Sequence, residues 1–271
     1  PTRITAFLMD LTLQRFILDR IFTSEGGVTG GAVVYDQAIE NELYLDRDVE
    51  RVAPGAEFPI VSSQRRAPKI AEVEKYGGKY FFTDEARDRN DQAAFRNENI
   101  KLGNTIVRKL NSQAITVLEA AIAGNSGNST FVGNDWSAAI PNGSNPTAPA
   151  LTPGADLAKA NLLADQRELG IHYNILLLSP VNMNELRLFY GASLNQMLED
   201  NGFDEAYASN RVTTGTAYAV AEGQLGEMRL EQPLTTETWR EQGTQRTWVQ
   251  SSVRPVMFVT NPFAVMKITG L

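Results

Sequence analysis

Between Asp91 and Ala123 the chain carries no proline, and its apolar residues fall at Phe95, Leu102, Ile106, Leu110, Ala114, Val117, Leu118, Ala121 and Ile122. Steps of seven, four and three keep these side chains on one face of a helix, and Gly124 supplies a C-terminal stop. At roughly 1.5 Å per residue, about 33 residues make a rod on the order of 50 Å long. A rod of that length is unusual in a compact enzyme, so this run limits the architectures open to the chain. Its single interior glycine, Gly103, is a place for a bend or a close contact.

The segments before the rod have a different texture. Residues 4–22 read as a helix through Ile4, Phe7, Leu8, Leu11, Leu18, Ile21 and Phe22, with Leu13, Phe16 and Ile17 on other faces. A helix apolar nearly all round is buried on more than one side, and a terminal one has a neighbouring molecule available to pack against. Gly26-Gly27 and Gly30-Gly31 then make a flexible hinge. Strands are expected at Val33–Tyr35, Leu43–Leu45, Phe58–Val61, Ile70–Tyr76 and Lys79–Thr83. The stretch from Asp36 to Lys69 is dense in charge and ordered by sign, with Asp36, Glu40, Glu42, Asp46, Asp48, Glu50 and Glu57 early and Arg65, Arg66 and Lys69 at its close. A long charged hairpin is only marginally stable alone, and makes sense as an arm laid across another subunit.

After the rod, residues 124–153 are rich in Gly, Asn, Ser, Thr and Pro, with Phe131 and Trp136 as the large anchors. A loop or loose hairpin is expected there. Thr152-Pro153 starts a helix over 154–169 that stops at Gly170. Tyr173–Leu178 reads as a buried strand, and Ser179-Pro180 opens a helix to about Tyr190. A short helix near Leu194–Glu199 and strands near Ala217–Ala221 and Met228–Leu230 follow. Trp248–Val253 and Val256–Thr260 read as strands parted by Arg254-Pro255, and Asn261-Pro262 turns into Phe263–Ile268.

Composition narrows the function. The 271 residues make one large domain or two intimate ones. With no cysteine there is no disulfide framework, thiolate nucleophile or Cys-ligated metal, and with His172 as the single histidine a multi-histidine metal site is impossible. A formal charge of −7 and a pI near 4.9 argue against a basic nucleic-acid-binding face. Neither Ala6–Met9 nor Ile175–Leu178 approaches the length of a membrane span or the core of an export signal, so a soluble chain is expected. Pro1 stands where an initiator Met would, so removal of that Met or of a longer leader is also expected.

No catalytic, cofactor-binding or metal-ligating residue is assigned, and no cofactor is expected. The only Gly-Lys pair, Gly78-Lys79, precedes Tyr80 and makes no phosphate loop. Gly191-Ala192-Ser193-Leu194-Asn195 approaches the nucleophile elbow but lacks its last glycine, and His172 would have to serve as its base. The pairs Glu40/Glu42, Asp46/Asp48 and Glu72/Glu74 would each share a strand face, suiting acid–base work or a divalent cation. Solvated or salt-bridging faces are the favoured reading. Asn128-Ser129-Thr130 and Asn142-Gly143-Ser144 match glycosylation sequons by chance. Arg96, Lys101, Arg108 and Lys109 share their helix with Glu98 and Glu119, which favours a solvated face over a phosphate contact.

The order of parts resembles the major capsid protein of tailed double-stranded-DNA bacteriophages, a fold shared with encapsulins and the herpesvirus capsid floor. Lys79–Arg87 (KYFFTDEAR) is similar to the strand leading into that family's spine helix, and Gln113–Gly124 (QAITVLEAAIAG) to the spine's end. Ile175–Leu188 (ILLLSPVNMNELRL) resembles the axial-domain strand and helix, and Arg254–Leu271 (RPVMFVTNPFAVMKITGL) the closing strands. The resemblance implies an α+β fold, with an N-terminal arm and Gly hinge at 1–31 and an extended β-hairpin loop at 32–76. A peripheral domain strand and spine helix would occupy 77–123, an axial α/β domain 124–246, and strands returning to the peripheral domain 247–271.

It also implies a non-enzymatic role. The chain would self-assemble through hexamers and pentamers into an icosahedral shell around a double-stranded DNA genome, which it would enclose without sequence-specific binding. Partners would be further copies of the chain, a portal protein, a scaffolding protein or scaffold domain and, where a lattice uses them, decoration proteins. No membrane is involved, and the location would be the virion, after assembly in the host cytoplasm. The loop at 36–69 would lie over a neighbour, and Gly26–Gly31 and Gly77-Gly78 would permit shell expansion. Some relatives crosslink through a loop lysine; here the first lysine is Lys69, at the loop's base, so a non-covalent shell is expected. The alternatives are an encapsulin-type nanocompartment shell, a carboxylate-dependent hydrolase using residues such as Glu72 and Glu74, and an adhesion or tail component.

Overall fold

A computed structural model describes residues 18–24, 26–39, 45, 47, 49–62, 66–89, 92–125 and 128–271. Residues 4–17 of the N-terminal helix expected over 4–22, and the residues Leu43, Glu40, Glu42, Asp46 and Asp48, lie outside the described residues. Six α-helices are described: α1 (Leu18–Ile21), α2 (Asp84–Asp88), α3 (Gln92–Gly124), α4 (Pro153–Asp165), α5 (Pro180–Tyr190) and α6 (Leu194–Asp200). The strands are β1 (Ala32–Asp36), β2 (Pro68–Glu72), β3 (Tyr76–Thr83), β4 (Thr130–Val132), β5 (Ile175–Leu178), β6 (Glu205–Ala208), β7 (Thr216–Val220), β8 (Gly226–Glu241), β9 (Arg246–Val259) and β10 (Val265–Thr269). The chain divides into two units. One takes the residues up to Val34 with Ile70–Glu119 and Gly226–Phe258, the other Tyr35–Lys69, Ala120–Leu225 and Val259–Leu271.

The Pro-free run forms α3, most of it in the first unit, and its buried residues Ile106, Leu110, Ala114 and Leu118 follow the expected stripe, joined by Val107. The helix is long because nothing in it breaks the hydrogen-bond ladder and one face finds an apolar partner. A three-stranded sheet has the order β3-β9-β8, with β3 antiparallel to β9 from Tyr76 opposite Val253 to Thr83 opposite Arg246. Tyr80 links this sheet to α3, its hydroxyl donating to Asn99 Oδ1 at 2.8 Å. Burial, opposed by the Asn99 hydrogen bond, pushes that phenol up to about 12.

Three expectations fail here for physical reasons. Gly77 and Gly78 are not a hinge, because both lie inside β3 and pair with Ser252 and Ser251. A Cβ on Gly77 would come within 2.6 Å of the Ser251 carbonyl oxygen, and one on Gly78 within 2.8 Å of Leu102 Cδ1, so close approach is what they provide. Arg254-Pro255 does not split the late strands, since β9 runs through it. Pro255 lies past Val253, the last partner of β3, so its missing N–H breaks no rung there, and its carbonyl accepts from Glu74 N at 3.1 Å. The strand expected at Met228–Leu230 is the start of the 16-residue β8, which carries Pro233 in an edge strand, where proline is tolerated. Thr23 and Gly27 lie parallel along the beginning of β8, bridging to Glu227 and Leu230.

β1 and β2 form a two-stranded ribbon. The long hairpin expected beyond it is not present among the described residues. Phe58–Val61 has no strand partner, and Phe58 and Ile60 are 79% and 87% exposed.

The second unit is built on a mixed sheet of order β4-β10-β7-β5-β6. β10 is parallel to β4 and antiparallel to β7, while β5 is antiparallel to β7 and parallel to β6. Every residue of β5 and β7 is buried, as expected of strands covered on both faces. Ser179 caps α5 by accepting from Asn182 N at 3.1 Å. At α4 Pro153 takes the first turn as expected, but the Thr152 hydroxyl donates to the Pro149 carbonyl (2.8 Å) and Tyr190 accepts from Gly154 N (2.9 Å). That helix ends at Asp165, before the expected 169, in a turn that places Glu168 at φ 55° ahead of Gly170 at φ 67°. The expected pieces 124–246 and 247–271 straddle the division between units. β8 pairs in the three-stranded sheet, while β10 is the second strand of the five-stranded one.

Candidate assembly surfaces

Alternation along β3 sends Tyr80 and Lys79/Phe81 to opposite faces. The face bearing Phe81 is exposed and aromatic. Register places Phe81 opposite Trp248 of β9, with ring centroids 5.1 Å apart, and Trp239 of β8 stacks on Trp248 at 6.3 Å and an interplanar angle of 17°. Lys79 Nζ sits 4.7 Å from the Trp248 ring centre, and the Arg246 guanidinium lies 4.4 Å from that of Phe81. Cations so placed are held by the ring quadrupoles. Trp248 Nε1 donates to Glu241 Oε2 at 3.0 Å and the Thr244 hydroxyl donates to the same oxygen at 2.7 Å. These two donors, helped by Arg246 and Lys79, hold the Glu241 carboxyl below the usual carboxylate range. The Arg240–Asp84 ion pair ties the end of β8 to the start of α2. Phe81 is 43% and Trp239 41% exposed.

A second exposed apolar set lies in the loop between β1 and β2, where Val49, Phe58 and Ile60 face water. Ala56 N donates to the Ala53 carbonyl across a turn with Gly55 at φ 86°, and Arg47 pairs with Glu50 at 2.6 Å.

In the second unit an open cleft of about 420 Å³ lies among α5, α6 and β6, lined by Met183, Arg187, Leu198, Glu199, Asp204 and Glu205. Tyr207 donates to Glu205, and Asn174 Nδ2 to Asp204 at 3.1 Å. Among the described residues no three His, Asp or Glu side chains group as metal ligands would. The buried polar groups of this unit are held by hydrogen bonds within it. Asp156, 2% exposed, accepts from Asn134 N (2.9 Å), Asn134 Nδ2 (2.8 Å) and Trp136 Nε1 (2.8 Å). Asn161 Oδ1 accepts from Tyr173 N at 2.9 Å while its amide donates to the Asn201 carbonyl at 2.8 Å.

The described residues among those singled out in the sequence each have a local setting of their own. Glu72 and Glu74 are exposed, and Glu74 accepts from Tyr76. The Ser193 hydroxyl donates to the Tyr190 carbonyl at 2.7 Å, whereas exposed His172 lies against Gly202. Lys101 pairs with Glu98 at 2.7 Å, and Lys109 lies over the Tyr76 ring. No described helix is long and apolar enough to cross a membrane. The aromatic face and the Asp156 knot were not foreseen. Phe81 and Trp248 read from sequence as ordinary strand residues, and an acid in the first turn of a helix is commonly a surface group.

Comparison with known proteins fits a surface-driven role. A family model described as "Phage capsid protein" matches residues 66–268. No curated protein matches the sequence. Among solved structures, the virus-like particle from Pyrococcus furiosus has a TM-score of 0.64 at 13% identity, covering 98% of each chain. The capsid of cyanophage P-SCSP1u gives 0.61 at 14% identity over 94% of this chain and 88% of that one. A phage-related protein from Bordetella bronchiseptica gives 0.63 at 13% identity over 100% and 97%. At such identities these likenesses speak to the fold, a mixed helix and sheet architecture shared with phage capsids. The family match, over well more than half of the sequence, speaks to descent: the chain belongs to the phage capsid protein family.

Proposed function

We propose that this chain is the major shell subunit of a tailed phage, assembling through hexamers and pentamers into the closed container of a double-stranded DNA genome. The observation that carries this reading is the family match over residues 66–268. In this reading α3 is the spine helix of a peripheral domain completed by β3, β8 and β9, and the five-stranded sheet with its helices is the axial domain. Residues 1–31 act as an arm, hinged where Gly26, Gly30 and Gly31 take positive φ. The loop between β1 and β2 reaches over a neighbouring copy. The net charge of −7 suits a wall that must not grip the DNA sliding past it. A scaffold, a portal and, where the lattice uses them, decoration proteins complete the partners, with assembly in the host cytoplasm and residence in the virion.

The likeness to the Pyrococcus furiosus virus-like particle, 98% of both chains, favours a second reading, an encapsulin-type shell around a protein cargo. The content of purified particles separates the two: packaged DNA supports the first, a dedicated cargo enzyme the second.

The shell is held without covalent links. Lys69 is the first lysine of the chain, and its ammonium donates to Gln37 Oε1 at the base of the ribbon, leaving the distal loop without an amine to donate. Mature particles boiled in denaturant are expected to run as one band near 29.8 kDa. A ladder of covalent multimers contradicts this.

A further inference from the structure

We propose that Asn142 is a site of self-modification, where the backbone nitrogen of Gly143 attacks the side-chain amide and converts the asparagine to aspartate and isoaspartate. The inference concerns the chemistry of the folded chain itself and does not rest on the assembly reading above. The sequence holds two Asn-Gly pairs, Asn142-Gly143 and Asn201-Gly202, and the fold treats them oppositely. The reaction needs water as its one co-reactant and involves no change of oxidation state. Gly143 N bonds to Asn142 Cγ as the Cγ–Nδ2 bond breaks, and the amide nitrogen leaves as ammonia, carrying the proton that Gly143 N gives up. Water then opens the cyclic imide at either carbonyl carbon, returning a hydrogen to the nitrogen. Opening at Cγ leaves aspartate, and opening at the backbone carbonyl leaves isoaspartate, with the chain now running through the side chain. Either product replaces a neutral amide with a carboxylate and adds one negative charge to the −7 of the chain.

Ring closure needs an uncommitted N–H, an amide free to turn and a backbone able to bring the two together. Asn142 and Gly143 are exposed at the tip of a loop pinched at its base. Ile140 N donates to Thr147 Oγ1 at 2.8 Å, and Thr147 N to the Ile140 carbonyl at 3.0 Å. Among the described residues no hydrogen bond holds the Asn142 side chain or the Gly143 N–H. Gly143 takes φ 142°, and a Cβ there would meet nothing within 4 Å, so no neighbour obstructs the turn. At the second pair every participant is engaged. Gly202 N donates to the Glu199 carbonyl at 2.9 Å, and Asn201 Nδ2 donates to the Met197 carbonyl at 2.7 Å. The Asn201 carbonyl accepts from Asn161 at 2.8 Å, and His172 packs against Gly202. Attack at Asn201 therefore waits on local opening of that turn. Asn145 shares the exposed loop but precedes Pro146, whose nitrogen has no hydrogen to give up.

Folded full-length protein is aged in mildly alkaline buffer, sampled over time and digested with trypsin, with a sample taken at the start to subtract reaction during digestion. Cleavage after Lys109, Lys159, Arg187 and Arg211 puts Asn142 and Asn201 on separate peptides. Tandem mass spectrometry reads the exchange of amide for acid at each position, and chromatography separates aspartate from isoaspartate. Asn142 is expected to lose its amide more than about tenfold faster than Asn201, because only Asn201 must first break hydrogen bonds. In denaturing urea the two rates are expected to come within about threefold of each other, since the fold alone separates them. Asn142→Gln, which would have to close a larger ring, is expected to remove the acidic species that ion exchange resolves in aged wild-type protein.

If Asn142 keeps its amide as long as Asn201 in the folded protein, the proposal is overturned. A rate difference that survives urea overturns it as well, because the fold would then not be what singles out Asn142. Neither result bears on whether the chain assembles, so the shell reading stands or falls separately.

Discussion

Replacing Asp156 with Ala is expected to lower the stability of the protein by about 3 kcal/mol. The carboxylate is buried and takes three donors, so its removal strands the buried indole N–H of Trp136 and takes an acceptor from both nitrogens of the half-buried Asn134, whose amide keeps only the Ala150 carbonyl at 3.4 Å. Water cannot easily replace it, because the site is tight. A Cβ on Gly133 would come within 2.9 Å of both Asp156 Oδ2 and Ile268 Cγ2. The knot pins the chain leaving β4 to the first turns of α4, and its loss should loosen the β4 edge of the sheet. Asp156→Asn, which keeps one acceptor oxygen, is expected to fall between. Urea unfolding followed by far-ultraviolet circular dichroism measures this. A change within about 0.5 kcal/mol for the Ala variant would show that the knot is not structural.

Leu176→Ala should cost at least as much, about 3–4 kcal/mol. Leu176 is 0% exposed in β5, which lies between β6 and β7, and every neighbour along its strand is buried as well. Strands hydrogen-bonded on both sides cannot collapse into the space a deleted side chain leaves, so the cavity penalty adds to the lost burial. Leu176→Met, nearly equal in volume, is expected to cost less than about 1.5 kcal/mol. The pair is measured by the same unfolding experiment. Equal small losses for Ala and Met would mean that this layer is not close-packed.

What could be read before any coordinates were known follows from range. The α3 rod was legible because its signal repeats over many turns and no competing residue interrupts it. β5 and the Ser179-Pro180 start of α5 were legible because an apolar run and a capping side chain act locally. β4 was not, since its three residues sit in a Gly- and Asn-rich stretch and gain their order from β10, more than 130 positions away. β8 hid behind Pro233, which an edge strand accepts but a propensity reading discounts. Pro255 misled for the same reason: only the register shows that it lies past the last rung with β3. Phe58–Val61 reads as a strand from its apolar residues, and among the described residues it has no pairing partner, Leu43 lying outside them. The aromatic ladder needed register as well, as Phe81, Trp239 and Trp248 are adjacent only once three strands are aligned.

The account turns on whether the chain builds shells. Full-length protein, purified alone and after co-expression with a scaffold, should be imaged by negative-stain electron microscopy, with mass photometry on the same samples. The account predicts closed particles, or rings of five and six copies with masses of roughly 150 to 180 kDa as multiples of 29.8 kDa. A concentration-independent monomer in both preparations would contradict it.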